Sequence, residues 1–184
     1  MKMAEEKRIE NAKFLGSVVI PCSLTTLSKG EIHSAIYGGV VKVISRFGDV
    51  APAEHKIRIR AEVDCLVGRS IMKPSIGKNC DLYLTSDGIR TFTSSETNES
   101  VPLFDHKFVC ISSTGTNIPN HDNIFVYVAQ LAKNGDDYPE ELPKSDSRQL
   151  FVFEFAHPLS ATKIFQCLNA RFQAPRRGRK YISG

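Results

Sequence analysis

The feature that most constrains the fold is a series of short strand-like segments joined by turns in the second half of the chain. Turn signals such as Ser86-Asp87-Gly88 join neighbouring segments into hairpins, so they predict an antiparallel sheet. One segment contains Pro102, which favours an edge position because proline cannot donate a ladder hydrogen bond. The predicted strands are 80–85 (CDLYLT), 89–94 (IRTFTS), 101–104 (VPLF), 107–113 (KFVCISS), 124–131 (IFVYVAQL) and 149–155 (QLFVFEF).

The segment NAKFLGSVVIP at 11–21 predicts a further strand, over residues 12–21. Simple alternation places Phe14, Gly16, Val18 and Ile20 on one face. The opposite face carries Leu15, Ser17 and Val19, so both faces are largely apolar and both need a cover. A glycine inside a strand usually marks a bend, and we expect one at Gly16.

Two segments have helical periodicity. The first predicts a helix over 30–46, although Gly38-Gly39 weakens it by about 1 kcal/mol for each glycine. The second opens at Ser160, a predicted N-cap, and ends before Pro175. Its stripe is Ile164, Leu168 and Phe172. We interpret Ile164 and Leu168 as core residues.

The predicted fold class is α+β. Seven antiparallel strands need a second sheet or closure to bury their apolar faces. We therefore expect a sandwich or barrel that the C-terminal helix caps, with an extra helix after the first strand. A length of 184 residues suits one domain. The predicted organisation is an N-terminal extension at 1–11, a domain at 12–174 and a basic flexible tail at 175–184.

Residues 48–78 are an irregular insertion in this scheme. Within it, apolar residues alternate with Lys56, Arg58 and Arg60, which would share one strand face. Such a basic row can bind phosphate groups of acidic phospholipid. A solvated strand face is the alternative interpretation.

Charge distribution and the N-terminal sequence bear on the partners of the protein and on its location, which we expect to be intracellular. The net charge of +4 equals the four basic residues of the last ten, which include no acid, so the remainder is balanced. A balanced body argues against a nucleic-acid-binding domain. The tail is either a solvated end or a contact for acidic lipid or nucleic acid. The chain has no apolar signal segment, and we expect its widely spaced cysteines to stay reduced.

Catalysis has no support in the sequence. There is no GxSxG, GxxxxGK or HExxH motif, each of which carries a defined catalytic geometry. His106 and Cys110, on one predicted strand, would stand roughly 13 Å apart. We expect no enzyme activity, no metal and no cofactor.

In their order, these segments resemble the phosphotyrosine-binding (PTB) domain family, which has the pleckstrin-homology (PH) superfold. KFLGSVVI at 13–20 resembles its first strand, GEIHSAIYGGVVKVI at 30–44 its helix, and LYLTSDGIRTF at 82–92 its hairpin. VPLFDHKFVCISS at 101–113 resembles its short strand and peptide-pairing strand. QLFVFEF followed by ATKIFQCLNARF resembles its last strand and C-terminal helix. The resemblance covers residues 12–174, and the 48–78 segment has no counterpart in it.

The resemblance implies an intracellular adaptor or signalling module. Such a domain binds an Asn-Pro-x-Tyr peptide, phosphorylated or not, by strand addition against the C-terminal helix. Its partner would be a cytoplasmic tail or an adaptor, with membrane association through that partner. The alternatives are a PH-like phosphoinositide-binding module using Lys56, Arg58 and Arg60, and a scaffold whose groove holds a protein partner or the domain's own tail. The implied peptide-pairing strand is Lys107, Phe108, Val109, Cys110, Ile111, Ser112 and Ser113.

On the helix, the resemblance matches Phe172 to the aromatic residue that family members place against the peptide. Capping the core is its other possible role. Phe165 and Asn169, offset from the apolar stripe, are further candidates for the groove. Arg148 stands where some members carry a phosphate-binding arginine, and it is equally well explained as a solvated residue. Dependence on phosphorylation therefore stays open.

Overall fold

An antiparallel sheet is the frame of the protein. The computed structural model describes residues 7–45, 70–71, 77–94, 101–116, 118–130 and 148–173. Every strand pair in these residues is antiparallel, as predicted. The strands are β1 (Lys7–Ile20), β2 (Ser70–Ile71), β3 (Asn79–Leu84), β4 (Gly88–Thr93), β5 (Pro102–Lys107), β6 (Ile111–Gly115), β7 (Ile124–Gln130) and β8 (Arg148–Phe155); the α-helices are α1 (Lys29–Ile44) and α2 (Pro158–Gln173).

Seven strands follow one another in the order β5-β4-β3-β1-β8-β7-β6, and β2 pairs with β1 beside them. Six of the predicted strands and the edge position of Pro102 are confirmed, whereas the predicted strand over 107–113 is divided between β5, a 3-10 turn and β6. The tail at 175–184, Lys56, Arg58 and Arg60 lie outside the described residues. Of the predicted insertion, 70–71 and 77–78 are described.

The sheet curls over itself around an aromatic interior. Phe104 of β5 packs on Phe14 of β1 and on Phe151 of β8, with ring centroids 4.9 and 5.0 Å apart. His106 of β5 reaches Tyr127 of β7, and its Nδ1 lies 3.0 Å from the tyrosine hydroxyl. Since four strands separate β5 from β7 in the sheet, these contacts require the sheet to fold back, as a sandwich or barrel does.

β1 changes its orientation halfway along its length. Phe14 pairs with Phe153 and Gly16 with Val152, so β1 has one extra residue there. This β-bulge reverses the alternation: Phe14 belongs to the aromatic interior, whereas Val18 belongs to the second core. The prediction that these two residues share a face is therefore wrong. The predicted bend at Gly16 is confirmed by its φ of 140°, which glycine tolerates.

β1 also begins earlier than predicted, at Lys7. Lys7 and Ile9 pair with Leu84 and Leu82 of β3. The added residues belong to the same sheet, and a second register shift between Ile9 and Ala12 separates them from the rest of β1.

α1 covers the second face of the sheet. Ser28 accepts a hydrogen bond from the Glu31 amide, and the Glu31 carboxylate accepts one from the Ser28 amide. This capping box fixes the start of the helix and holds the pKa of Glu31 below its usual value. Val40, Val43 and Ile44 then pack on β1, β7 and β8 residues. A Cβ at Gly39 would lie 3.0 Å from Val18 and closer still to Leu150, so the glycine permits the close approach of helix and sheet.

α2 covers the aromatic interior, as predicted. Ala161, Ile164 and Leu168 are completely buried there. The predicted N-cap at Ser160 is wrong because the helix starts at Pro158, the position where a missing amide proton costs nothing. The amide of Ser160 donates instead to the carbonyl of His157, at 3.0 Å.

The two glycine positions in α1 predict opposite effects on stability. Gly39→Val should lower the free energy of unfolding by about 1–3 kcal/mol, because it overpacks the contact with Leu150 and Val18. Gly30→Ala is the matched control: no atom lies within 4 Å of a Cβ there, so the gain in helix propensity should stabilise the fold by about 0.5–1 kcal/mol. Urea denaturation measures both. Equal effects of the two substitutions would contradict this packing.

The bond between His106 and Tyr127 predicts a cost for removing one hydroxyl. Tyr127→Phe should lower the free energy of unfolding by about 1 kcal/mol, because the aromatic packing persists and the hydrogen bond does not. Tyr83 is a control, since it lies only half-buried on β3 and packs on Phe92. Tyr83→Phe should leave the unfolding midpoint nearly unchanged. A loss in Tyr83→Phe as large as in Tyr127→Phe would count against the special role of this bond.

The buried Cys80 predicts a pH-dependent contribution to stability. Burial, and then the charge of Asp81, raise the pKa of its thiol from 9.0 to about 12. The folded state therefore favours the neutral thiol, and this contribution is complete below pH 9.0 and is lost as the pH rises towards about 12. Because the thiolate is the reactive form, iodoacetamide at pH 8 should label the half-buried Cys110 well before Cys80. Equally rapid labelling of the two, measured by mass spectrometry, would refute this.

Candidate functional site

β6 ends the sheet and leaves one backbone edge open. It pairs with β7 and with no other strand among the described residues. Ile111 pairs with Ala129, and Thr114 with Tyr127, so both belong to the face that α2 covers. A register shift follows Ile111, at Ser112, whose hydroxyl donates to the carbonyl of Val128 at 3.3 Å. An open edge of this kind offers amide and carbonyl groups to an added strand.

The prediction of one strand over 107–113 is wrong. Lys107 ends β5, Phe108–Cys110 form a 3-10 turn, and Ile111 begins β6. The turn is needed because β5 and β6 lie at opposite ends of the strand order. A hydrogen bond of 2.7 Å from the amide of Phe108 to the carbonyl of Asp87 fixes the point where the chain leaves β5. Of the predicted pairing residues, Ile111, Ser112 and Ser113 lie on the open strand.

α2 presents one flank towards β6. Cys167 lies on the flank that faces β1, because its sulfur is 3.2 Å from Nζ of Lys7. Residues two positions apart on an α-helix are turned by about 200°, so Phe165 and Asn169 lie on the opposite flank. Both side chains are half-buried. α2 runs from its contact with Phe108 at one end past β6, and we expect its Phe165 flank to form the second wall of a groove, as the resemblance implies.

An apolar surface closes the groove where β6 begins. Phe172 packs edge-on against Phe108, with ring centroids 5.7 Å apart. Phe172 remains 43% exposed and Val109 79% exposed, although both are large apolar side chains. We call Phe108, Val109 and Phe172 the apolar end. Exposure of adjacent apolar groups beside an open strand is typical of a binding surface.

Arg171 borders the apolar end. Its Cζ lies 5.7 Å from the centroid of the Phe108 ring, a cation–π distance. Nothing in the sequence singles out Arg171, because a basic residue in the last turn is common at helix C-termini. Thr114 and Gly115 were missed for a different reason. β6 begins and ends later in the chain than the predicted strand 107–113, because the 3-10 turn occupies Phe108–Cys110.

Arg148 lies apart from the groove. It is the first residue of β8, which β7 separates from β6. Strand alternation puts Arg148 on the face with Leu150 and Val152, which α1 covers. α2 packs on the opposite face.

The His106 and Cys110 pair suggests no reaction. The ring of His106 is directed into the aromatic interior, where it stacks on Phe104 with centroids 5.9 Å apart. Cys110 lies in the 3-10 turn. In the part of the chain that the structure describes, no three His, Cys, Asp or Glu side chains are arranged to hold a metal ion. No described helix is long and apolar enough to cross a membrane.

Comparison with known proteins gives the same architecture. No protein-family model matches the chain, and no curated protein sequence matches it. Among solved structures, the solution structure of the C-terminal phosphotyrosine interaction domain of APBB2 from mouse is similar, with a TM-score of 0.52 over 96% of this chain and 93% of that domain. The two sequences are 10% identical, so the likeness concerns the fold. The chain therefore has the PH-like fold of a phosphotyrosine-binding domain, as its sequence predicted.

Proposed function

We propose that this protein is an intracellular adaptor or signalling module that binds an extended peptide of the Asn-Pro-x-Tyr type. The open edge of β6 beside the Phe165 flank of α2 is the observation that carries the proposal. An added strand would satisfy the outer amides and carbonyls of β6, and its side chains would reach the helix flank. Its partner would be the cytoplasmic tail of a receptor or another adaptor.

The direction of the peptide follows from the antiparallel pairing of the sheet. Strands in this sheet pair antiparallel, so a peptide antiparallel to β6 would enter near Gly115 and leave near Ile111. It would then meet the apolar end at Phe108, Val109 and Phe172. A turn that carries an aromatic residue, as Asn-Pro-x-Tyr does, fits this order of contacts. Lys107 to Cys110 would support the end of the peptide, and Ile111 to Ser113 would pair with it.

Phosphate recognition is a separate question within this proposal. Arg148 stays a candidate for phosphate binding, because the sequence resemblance matches it to the phosphate-binding arginine of some phosphotyrosine-binding domains. A membrane-binding role for Lys56, Arg58 and Arg60 rests on residues outside the described part of the chain. The peptide-binding role is therefore the better supported of the two.

Removal of one exposed ring tests the groove. Phe172→Ala should weaken binding of an Asn-Pro-x-Tyr peptide about tenfold or more, as loss of an aromatic anchor does. The unfolding midpoint should change little because the ring is 43% exposed. Leu159→Ala is the matched control: Leu159 is 71% exposed at the other end of α2, and its loss should not change the affinity. Fluorescence anisotropy measures both variants against a panel of phosphorylated and unphosphorylated peptides.

The same panel tests strand addition directly. A bound peptide should shift the amide NMR signals of Ile111–Gly115 and slow hydrogen exchange of those amides that point away from β7, since these would pair with it. Binding that leaves the β6 amides unchanged would exclude strand addition. Saturable binding by none of the peptides would exclude the proposed function.

A further inference from the structure

The apolar end of the groove has a cationic border that the resemblance did not assign. Phe108 lies between two side chains of α2: Phe172 contacts it edge-on, and Arg171 lies over its ring. The arginine side chain is half-buried. A guanidinium that lies over a ring still has N–H donors that the ring does not use. The contact also restricts the side chain in advance, so less entropy is lost when the donors bind.

Two other arginines of the sheet have carboxylate partners. Arg8 binds Asp81 at 2.7 Å, and Arg90 lies 3.4 Å from Asp105. Lys107 interacts electrostatically with the carboxylate of Asp87. The pKa of Asp87 is lowered first by its hydrogen bond to Thr85 and then by the charges of Arg90 and Lys107. Within the described residues, Arg171 has its contact with the Phe108 ring and no carboxylate partner. Its positive charge is therefore available to a ligand.

We propose that Arg171 is an anion-recognising residue, which selects ligands carrying a negative oxygen group next to an aromatic ring at the apolar end. The ring would pack on Phe172 and Val109, and the anionic oxygens would accept charge-assisted hydrogen bonds from the guanidinium edge. A phosphate ester and a carboxylate share this chemistry. As a specificity residue for bound peptides, Arg171 depends on the proposed function; as an anion site, it does not.

The position at the end of α2 opposes anion binding, but only weakly. The last carbonyls of a helix carry a partial charge equivalent to about −0.5. A guanidinium carries a full positive charge. The attraction should therefore win, and it should weaken with added salt because the site is partly exposed.

The same arrangement distinguishes Arg171 from Arg148. Arg171 contacts a residue of the apolar end directly, whereas Arg148 lies on the face of the sheet that α1 covers. If phosphate on the ligand is recognised in this groove, substitution of Arg171 should remove that recognition. Substitution of Arg148 should leave it intact.

An NMR titration with phenyl phosphate tests the anion site without any peptide. The side-chain Nε–H signal of Arg171 and the amide signals of Phe108 and Phe172 should shift together and saturate at millimolar concentration. Phenylacetate is the carboxylate arm; a smaller response to it would identify phosphate as the preferred source of the charge. Phenol, which lacks the charge, should not shift the Arg171 signal. No shift of the Arg171 signal with either anion would overturn the proposal.

Peptide affinities then test selection. For wild-type protein, a phosphorylated Asn-Pro-x-Tyr peptide should bind about tenfold more tightly than its unphosphorylated form. Arg171→Gln should remove most of that ratio and leave the affinity for the unphosphorylated peptide within about twofold. Arg171→Lys, which keeps the charge and loses the planar set of N–H donors, should retain an intermediate ratio. Lys163→Gln, at an exposed position on the same helix, controls for net charge and should leave the ratio unchanged.

The two proposals fail in different ways. The Arg171 signal could respond to phenyl phosphate while none of the peptides binds. That result would exclude strand addition and retain the anion site. The affinity ratio between the phosphorylated and unphosphorylated peptides could instead survive Arg171→Gln and fall in Arg148→Gln. That result would assign phosphate recognition to Arg148 and overturn this inference.

Discussion

The fold depends on one strand, β1, that contributes to two cores. Its first half packs Phe14 against the aromatic interior, and its second half packs Val18 and Ile20 under α1. A regular strand cannot do this with side chains of the same parity, because alternate residues always share a face. The extra residue at Leu15–Gly16 resolves the conflict. β1 can then connect β3 to β8 while α1 and α2 occupy opposite faces of the sheet.

Local patterns in the sequence predicted the elements well because each element buries a periodic set of side chains. The stripe of α2 is an example: Ile164 and Leu168 are buried as their spacing predicts. The errors fall where long-range geometry decides the outcome. Alternation alone cannot reveal the reversal at Gly16, which depends on pairing with β8. The local pattern of the segment 107–113 likewise cannot reveal that Lys107 and Ile111 belong to opposite ends of the strand order.

The candidate site was predictable in part for the same reason. Phe172 and Phe165 belong to the pattern of a helix that the resemblance placed beside the groove. Arg171 had no such signal, since its relation to Phe108 joins residues far apart in the sequence. The walls of the groove rest on different supports: buried residues of α2 hold one wall, and pairing with β7 together with the burial of Ile111 holds the other.

An open edge that can receive a peptide can also receive the edge of another copy of the same protein. The geometry of β6 limits this hazard. The strand has five residues, is interrupted by a shift at Ser112, and ends in a glycine, so it offers only a short register to another sheet. At the opposite end of the sheet, β5 begins with a proline, which removes one donor from that edge. Both edges of the described sheet are thus poor templates for repeated pairing, which limits polymerisation through the sheet.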